Sequence, residues 1–201
     1  MKKFFKYLGI GLGSLGIIFI IAFSYLLIAN KDSTLFLEAA QTRNFSEMKR
    51  LINQGFDLEK ANFLEAKIIR AYLTMGLSSD ADLVPDAQVL DFMIKNGATI
   101  NEVIPNKPSP LHLAILQKRP DLVQVLVLHD VDINYQFKTM TALDLALKKG
   151  EYEIVNLLIA HNAKFNRLKN DFTAWTIARQ CVQRQQCSEE LLDLFSIPQQ
   201  P

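Results

Sequence analysis

Two hydrophobic patterns divide the chain. Residues 8–29 contain no charged side chain, whereas apolar and polar positions alternate in short stretches from residue 34 onward. In the clearest stretch, residues 141–149 and 151–160 carry apolar side chains at helical spacing, and Gly150 separates the two. The pattern after residue 34 therefore predicts short amphipathic helices in pairs.

The uncharged run is long enough to cross the roughly 30 Å hydrocarbon core of a bilayer as a helix. Lys2, Lys3 and Lys6 precede it, so the positive-inside rule places residues 1–7 in the cytoplasm and residues 30–201 on the extracytoplasmic side. That side is the periplasm if the host is Gram-negative. A cleaved signal peptide is the alternative, but its apolar core usually runs about 7–15 residues, which is shorter than this run. We therefore predict one uncleaved, single-pass transmembrane helix.

A near-copy of one segment recurs at a fixed spacing. Residues 109–114 read SPLHLA, and residues 141–146, which begin 32 positions later, read TALDLA. The same spacing links Leu126 to Leu158 and Asn134 to Asn166. A fixed period of this length is typical of stacked repeats, in which one unit cannot bury its apolar face alone.

These segments, with the run Asp130-Val131-Asp132-Ile133-Asn134 that closes the first of them, resemble an ankyrin repeat. The resemblance implies an all-α solenoid of about five helix-turn-helix units behind the transmembrane helix. We place the units at about 34–61, 62–100, 101–133, 134–166 and 167–197.

Each unit needs a left-handed residue where the chain leaves its second helix, and glycine and asparagine adopt that conformation most easily. Gly55, Gly97, Asp130 and Asn162 occupy the equivalent positions. One backbone requirement is therefore predicted to be met by three residue types.

The second unit is longer than the others, because Gly97 lies 42 residues after Gly55. The excess falls in residues 74–86, whose Gly, Ser, Asp and Pro content predicts a loop between helices. Inserted loops of repeat proteins often lie on a binding face, and they are also tolerated without any role.

The three histidines, the usual candidates for metal or acid-base chemistry, occupy regular positions within the repeats. The resemblance gives His112 structural hydrogen bonds to a neighbouring turn. His129 and His161 are equivalent positions in adjacent repeats, too far apart to share one metal ion. No nucleophile beside a base and no phosphate-binding loop is recognised. We therefore predict no catalytic, cofactor or metal site, and no enzyme. An unrecognised site near the insertion, with Asp80, Asp82 and Asp86, is the less favoured alternative.

The resemblance also indicates which side chains a partner would contact, namely those on the long turns between units and those at the end of each first helix. The candidates on the turns are Tyr135, Gln136, Phe137, Lys138, Met140, Arg167, Lys169 and Phe172. The candidates on the first helices are Gln41, Thr42, Leu116, Gln117, Lys148 and Lys149. Exposed Tyr and Phe are enriched in interface hot spots. Tyr135 and Phe137 have the alternative of folding back onto the neighbouring turn.

The two cysteines, Cys181 and Cys187, are six residues apart. On one continuous helix they would face different directions, whereas a loop between two helices would allow a disulfide. An extracytoplasmic location favours the bond, and two unpaired thiols are the alternative.

The net charge of +1 is spread without a basic stripe, so we expect no nucleic-acid partner. The sequence thus predicts a membrane-anchored module that tethers or occludes an unidentified protein partner. An immunity or inhibitor protein that neutralises a toxin in the periplasm is the alternative. Gly9 and Gly13 form a small-residue pattern that permits weak homodimerisation through the membrane helix.

Overall fold

The computed structural model describes residues 31–63, 66–77, 84–166, 168 and 170–195. The predicted transmembrane run 8–29, with Gly9 and Gly13, lies outside them. None of the helices in the described ranges has both the length and the apolar character needed to cross a membrane.

The described residues form ten helices in five successive pairs, as the periodicity predicts. In chain order these are α1 Lys31–Gln41, α2 Phe45–Asn53, α3 Ile68–Met75, α4 Ala87–Lys95, α5 Pro110–Leu116, α6 Pro120–Leu128, α7 Ala142–Lys149, α8 Tyr152–Ala160, α9 Phe172–Gln183 and α10 Glu190–Asp193. Each first helix packs on the first helix of the next pair where the chain is described, as in the contacts of α5 with α3 and α7. One apolar core runs through the stack. The chain is already helical at Lys31, the first described residue, three residues before the predicted unit boundary.

Local capping explains why the helices begin and end where they do. Thr141 and Asp144 form a reciprocal capping box at the start of α7, and Gly150 ends that helix in the left-handed conformation with φ of 72°. At the ends of the second helices, φ is 99° at Gly55, 56° at Asp130 and 61° at Asn162. Gly97 has φ of 93°. The predicted left-handed requirement, met by three residue types, is confirmed.

The turn from the second helix of one unit to the first helix of the next is called a finger here. The first finger contains a two-stranded antiparallel sheet, with β1 Asn62–Phe63 paired to β2 Ala66–Lys67. A single bridge, Phe137 to Met140, closes the tip of the 131–140 finger. The sequence predicted no strands, because the pairs are too short to produce an alternating pattern.

The insertion in the second unit begins later than predicted. Thr74 and Met75 belong to α3, and α4 starts at Ala87. Residues 78–83, with Asp80 and Asp82, lie outside the described residues. Leu77 and Val84, which flank them, are exposed.

The C-terminal end of the insertion is fastened to both neighbouring units. The Arg43 guanidinium forms an ion pair with Asp86 at 2.9 Å, and the Arg119 Nη1 donates to the Pro85 carbonyl at 2.9 Å. The Tyr72 hydroxyl accepts the Asp86 backbone N–H at 2.7 Å, and burial raises the pKa of Tyr72 to about 12. Asp86 also caps α4, because its side chain accepts the backbone N–H groups of Gln88 and Val89.

The last unit has a longer first helix and a covalent link. The helix α9 ends at Gln183, and Gln185 then turns the chain with φ of 57°. This turn brings Cys187 back towards Cys181, and a disulfide joins the two with a Cα–Cα distance of 5.4 Å. Both cysteines are buried. The disulfide can form because α9 ends at Gln183, between the two cysteines. On a helix that continued to Cys187, the two side chains would point in different directions.

We expect removal of this disulfide to destabilise the C-terminal unit. The closed loop is short, so the chain-entropy model gives a loss of about 2 kcal/mol in the free energy of unfolding for Cys181→Ala/Cys187→Ala. Chemical denaturation of the full chain in detergent, with and without dithiothreitol, measures the effect. Reduction should destabilise the wild-type chain and leave the double variant unchanged. An equal response of both proteins to the reductant would contradict the assignment.

Candidate functional site

An open groove of about 250 Å³ lies between α7, α9 and the fingers that precede them. We call it the C-terminal groove. It is lined by Met140, Leu147, Lys148, Leu168, Asp171, Thr173, Ala174 and Ile177. The stacking of two first helices forms its floor, since α7 and α9 contact each other directly. The groove therefore exists only because the repeats stack.

The floor of the C-terminal groove is apolar and its edge is polar. Leu147 is fully buried beneath it, and Ile177 is half-buried. Lys148 is exposed at the edge, and none of the described residues forms an ion pair with it. The Asp171 carboxylate is used locally, because its Oδ1 accepts the backbone N–H groups of Thr173 and Ala174 at 2.9 and 3.1 Å. An apolar floor with a few polar groups at the edge is typical of binding sites.

An exposed aromatic residue stands directly beside the groove. Phe172 follows Asp171 at the start of α9, and 59% of its surface is exposed. Its ring stacks on the ring of Trp175 with 5.6 Å between centroids. Trp175 is buried, the Arg179 guanidinium lies over its ring at 5.4 Å from the centroid, and its Nε1 has no hydrogen-bond partner among the described residues. This packing holds Phe172 in place, so it is a preformed apolar contact for a partner.

The aromatic rings of the 131–140 finger fold back, as one of the two alternatives predicted. Tyr135 and Phe137 are half-buried and meet the His112 ring edge-on, with centroid distances of 6.0 and 5.9 Å. The Tyr135 hydroxyl donates to the Lys107 carbonyl at 3.5 Å. These two residues therefore support the finger, and a substitution there would disturb its packing.

The other candidate residues of this finger differ in their contacts with the rest of the chain. Gln136 is exposed, and its side-chain oxygen accepts the Asn166 amide at 3.0 Å. Lys138 is exposed and its Nζ lies 5.3 Å from the centre of the Phe137 ring. Met140 reaches the C-terminal groove.

The candidates on the first helices also separate into two groups. Gln117 donates to the carbonyls of Leu73 and Leu113 at 2.8 and 3.2 Å, so its amide joins two units. Leu116 is half-buried against the core. Lys148 and Lys149 are exposed at the end of α7. Lys118, which lies just after α5, differs from them because it forms an ion pair with Glu151 at 2.9 Å.

The structure thus brings Met140 and Lys148 together in one groove, with Phe172 beside it. Arg167 and Lys169 lie outside the described residues, so their predicted role is still a prediction. Sequence reasoning missed Ile177, Leu168 and Thr173. Ile177 had a signal, since it lies 32 residues after Leu145 in the repeated segment.

The histidines are engaged in structural contacts. The Met140 carbonyl can only accept, so the His112 Nε2 donates to it at 3.2 Å, and the Nδ1 accepts the Ser109 hydroxyl at 2.8 Å. This confirms the predicted hydrogen bond to a neighbouring turn. Burial lowers the pKa of His112. His129 bonds Asp91 at 2.8 Å, and His161 bonds the Leu157 carbonyl at 2.9 Å. No cluster of metal-ligating side chains occurs within the described ranges.

A larger cavity, of about 530 Å³, lies on the first unit, where Asp57 and Lys60 contribute to its lining. These two side chains already pair with each other at 2.9 Å. Apart from buried residues at its base, its lining is largely polar. We favour the C-terminal groove as the binding site, because it combines an apolar floor, an exposed aromatic ring and a lysine without an ion pair to any described residue.

Comparison with known proteins identifies the repeats. Residues 81–169 match the family model described as ankyrin repeats (3 copies). Alpha-latrotoxin-Lg1a from Latrodectus geometricus is 39% identical over 133 residues, which cover 65% of this chain and 9% of the toxin. The chain therefore spans less than a tenth of that relative's length. The resemblance to ankyrin repeats is confirmed over residues 81–169, and such repeats indicate a protein–protein interaction module.

Proposed function

We propose that this chain, with its ankyrin repeats at residues 81–169, is a membrane-anchored protein that binds a protein partner on the extracytoplasmic side of the membrane. It acts by tethering or occluding that partner, without catalytic turnover. The observation that carries the binding role is the C-terminal groove, where Phe172 is exposed beside an apolar floor. Interfaces typically combine an aromatic anchor with a polar rim.

Two features support the extracytoplasmic location. Lysines precede the uncharged run 8–29, as expected for a segment whose N-terminus stays in the cytoplasm. Disulfides such as the one between Cys181 and Cys187 persist in oxidising compartments and are rare in the cytosol.

Photo-cross-linking in the native cells tests the binding role. A photoreactive phenylalanine analogue at Phe172 should form an adduct with one defined protein. The matched control is the same analogue at Leu128, which is 63% exposed at the end of α6. Absence of an adduct at Phe172, or the same adducts from both positions, would reject the groove as the binding surface.

Fusion of alkaline phosphatase after Pro201 in the full chain tests the topology. The enzyme is active only where its own disulfides form, so we expect high phosphatase activity. A fluorescent protein that folds only in the cytosol, fused at the same point, should stay dark. The opposite pattern would place the repeats in the cytoplasm.

A further inference from the structure

We propose that the segment of the partner seated in the C-terminal groove is acidic and carries an apolar side chain. This inference rests on the proposed function and adds the chemistry of the partner.

The lysine at the edge of the groove has no ion pair among the described residues. Lys148 lines the groove and Lys149 follows it, both exposed and without an ion pair to any described residue. Asp171, the acidic side chain in the lining, directs its Oδ1 to the backbone N–H groups of Thr173 and Ala174 and forms no ion pair with Lys148. A carboxylate from a partner would therefore find the Lys148 ammonium group at this edge.

This arrangement is particular to the fourth unit. The positions 32 residues earlier are Leu116 and Gln117, of which one is apolar and the other binds the Leu73 carbonyl. The equivalents in the first unit are the neutral residues Gln41 and Thr42. The groove between the last two units therefore has a lysine, Lys148, at a position that is uncharged in the first and third units, and this favours it as the place where an acidic segment would bind.

The floor requires an apolar side chain from the same segment. Met140, Leu168 and Ile177 line the groove, and the exposed ring of Phe172 extends the apolar surface. A segment with acidic residues alone would leave this apolar surface in water. An apolar residue flanked by acidic residues would cover the floor and also place a carboxylate near Lys148.

Peptide binding to the full chain in a non-ionic detergent tests the proposal. Three eight-residue peptides serve as probes: Glu and Asp around a central Leu-Phe pair, Lys around the same pair, and Glu and Asp around Gly-Gly. The emission of the single tryptophan, Trp175, reports events at the groove because its ring contacts Phe172. The acidic peptide with Leu-Phe should bind at least about tenfold more tightly than either of the others.

Two substitutions on the surface then assign the effect. Lys148→Glu should weaken the acidic Leu-Phe peptide about tenfold or more, while Lys95→Glu, an equal charge change on α4, should have little effect. Phe172→Ser should weaken the same peptide with Lys148 intact. Equal effects of Lys148→Glu and Lys95→Glu, or equal binding of the three peptides, would overturn the proposal.

Other occupants would give different results. Tighter binding to vesicles of anionic phospholipid than to the peptide, lost in Lys148→Glu, would assign the groove to a membrane surface. Self-association lost in the same variant would assign it to a second copy. Either result overturns the proposed peptide chemistry. If Phe172 cross-links to one protein but no acidic peptide binds, the proposed function stands and the chemistry of the partner is wrong.

Discussion

Replacing Arg70 with methionine should lower the free energy of unfolding by about 3 kcal/mol, because it breaks a buried ion pair. The Arg70 side chain is 7% exposed, and its Nε donates to the Glu102 carboxylate at 2.8 Å. Its other nitrogens donate to the carbonyls of Glu102 and Pro108. Methionine keeps the length and apolar stem of the side chain, so the loss isolates the polar contacts. Urea denaturation of the full chain in detergent measures it.

Two controls show whether the buried carboxylate causes the loss. Arg50→Met removes an arginine that also pairs with a glutamate, Glu47, on an exposed helix face, and it should leave the stability nearly unchanged. The double variant Arg70→Met/Glu102→Gln removes the orphaned charge and should be more stable than Arg70→Met alone. Equal losses in the single and double variants would show that the ion pair is not the cause.

Arg70 belongs to a series that the repeat makes visible. It is the third residue after the N-cap of α3, as His112 is for α5 and Asp144 is for α7. Each of the three side chains holds the finger that follows. Arg70 and His112 donate to finger carbonyls, whereas Asp144 accepts finger N–H groups. The third residue after the N-cap therefore binds the following finger in all three units, through a guanidinium, an imidazole or a carboxylate.

The difference among the three residues explains how far the sequence predicts the structure. Helix pairs and left-handed turns depend on local periodicity and backbone preference, so Gly97, Asp130 and Asn162 could be predicted. Whether a finger turns carbonyl oxygens or N–H groups towards the preceding helix depends on its full backbone path. The roles of Arg70 and Asp144 could not be read from their spacing for that reason.

The candidate site was predicted only in part, for a related reason. Lys148 and Met140 were identified because the resemblance marks the positions that face a partner. Gln117 and Tyr135 occupy marked positions too, but each finds a polar partner on a neighbouring unit, the Leu73 and Lys107 carbonyls. Whether such a side chain bonds to a neighbouring unit or stays available to a partner depends on the distances between units. The sequence of one unit does not give these distances.

Asp144→Ala should destabilise the chain by about 3 kcal/mol, because three buried or half-buried N–H groups lose their acceptor at once. Asp144 is fully buried, and its carboxylate accepts the backbone N–H groups of Thr141, Asn166 and Leu168 at 2.8, 3.2 and 3.0 Å. Asp144→Asn retains one acceptor oxygen and should lose less than the alanine variant. Urea denaturation of the full chain measures both.

The matched control is Asp171→Ala, which removes an aspartate that also accepts two backbone N–H groups at the start of a helix. It should cost only about 1 kcal/mol, the usual value for a lost cap. The difference isolates the contacts of Asp144 with the following finger. If Asp144→Ala loses no more stability than Asp171→Ala, the role assigned to Asp144 is contradicted.

In a stacked repeat, stability depends on each interface between neighbouring units, so release of this finger should loosen α9 first. Hydrogen exchange should then increase over residues 172–183 before it increases in the first units. Since α9 forms one wall of the C-terminal groove, the same substitution should weaken peptide binding although Asp144 is buried beneath the surface.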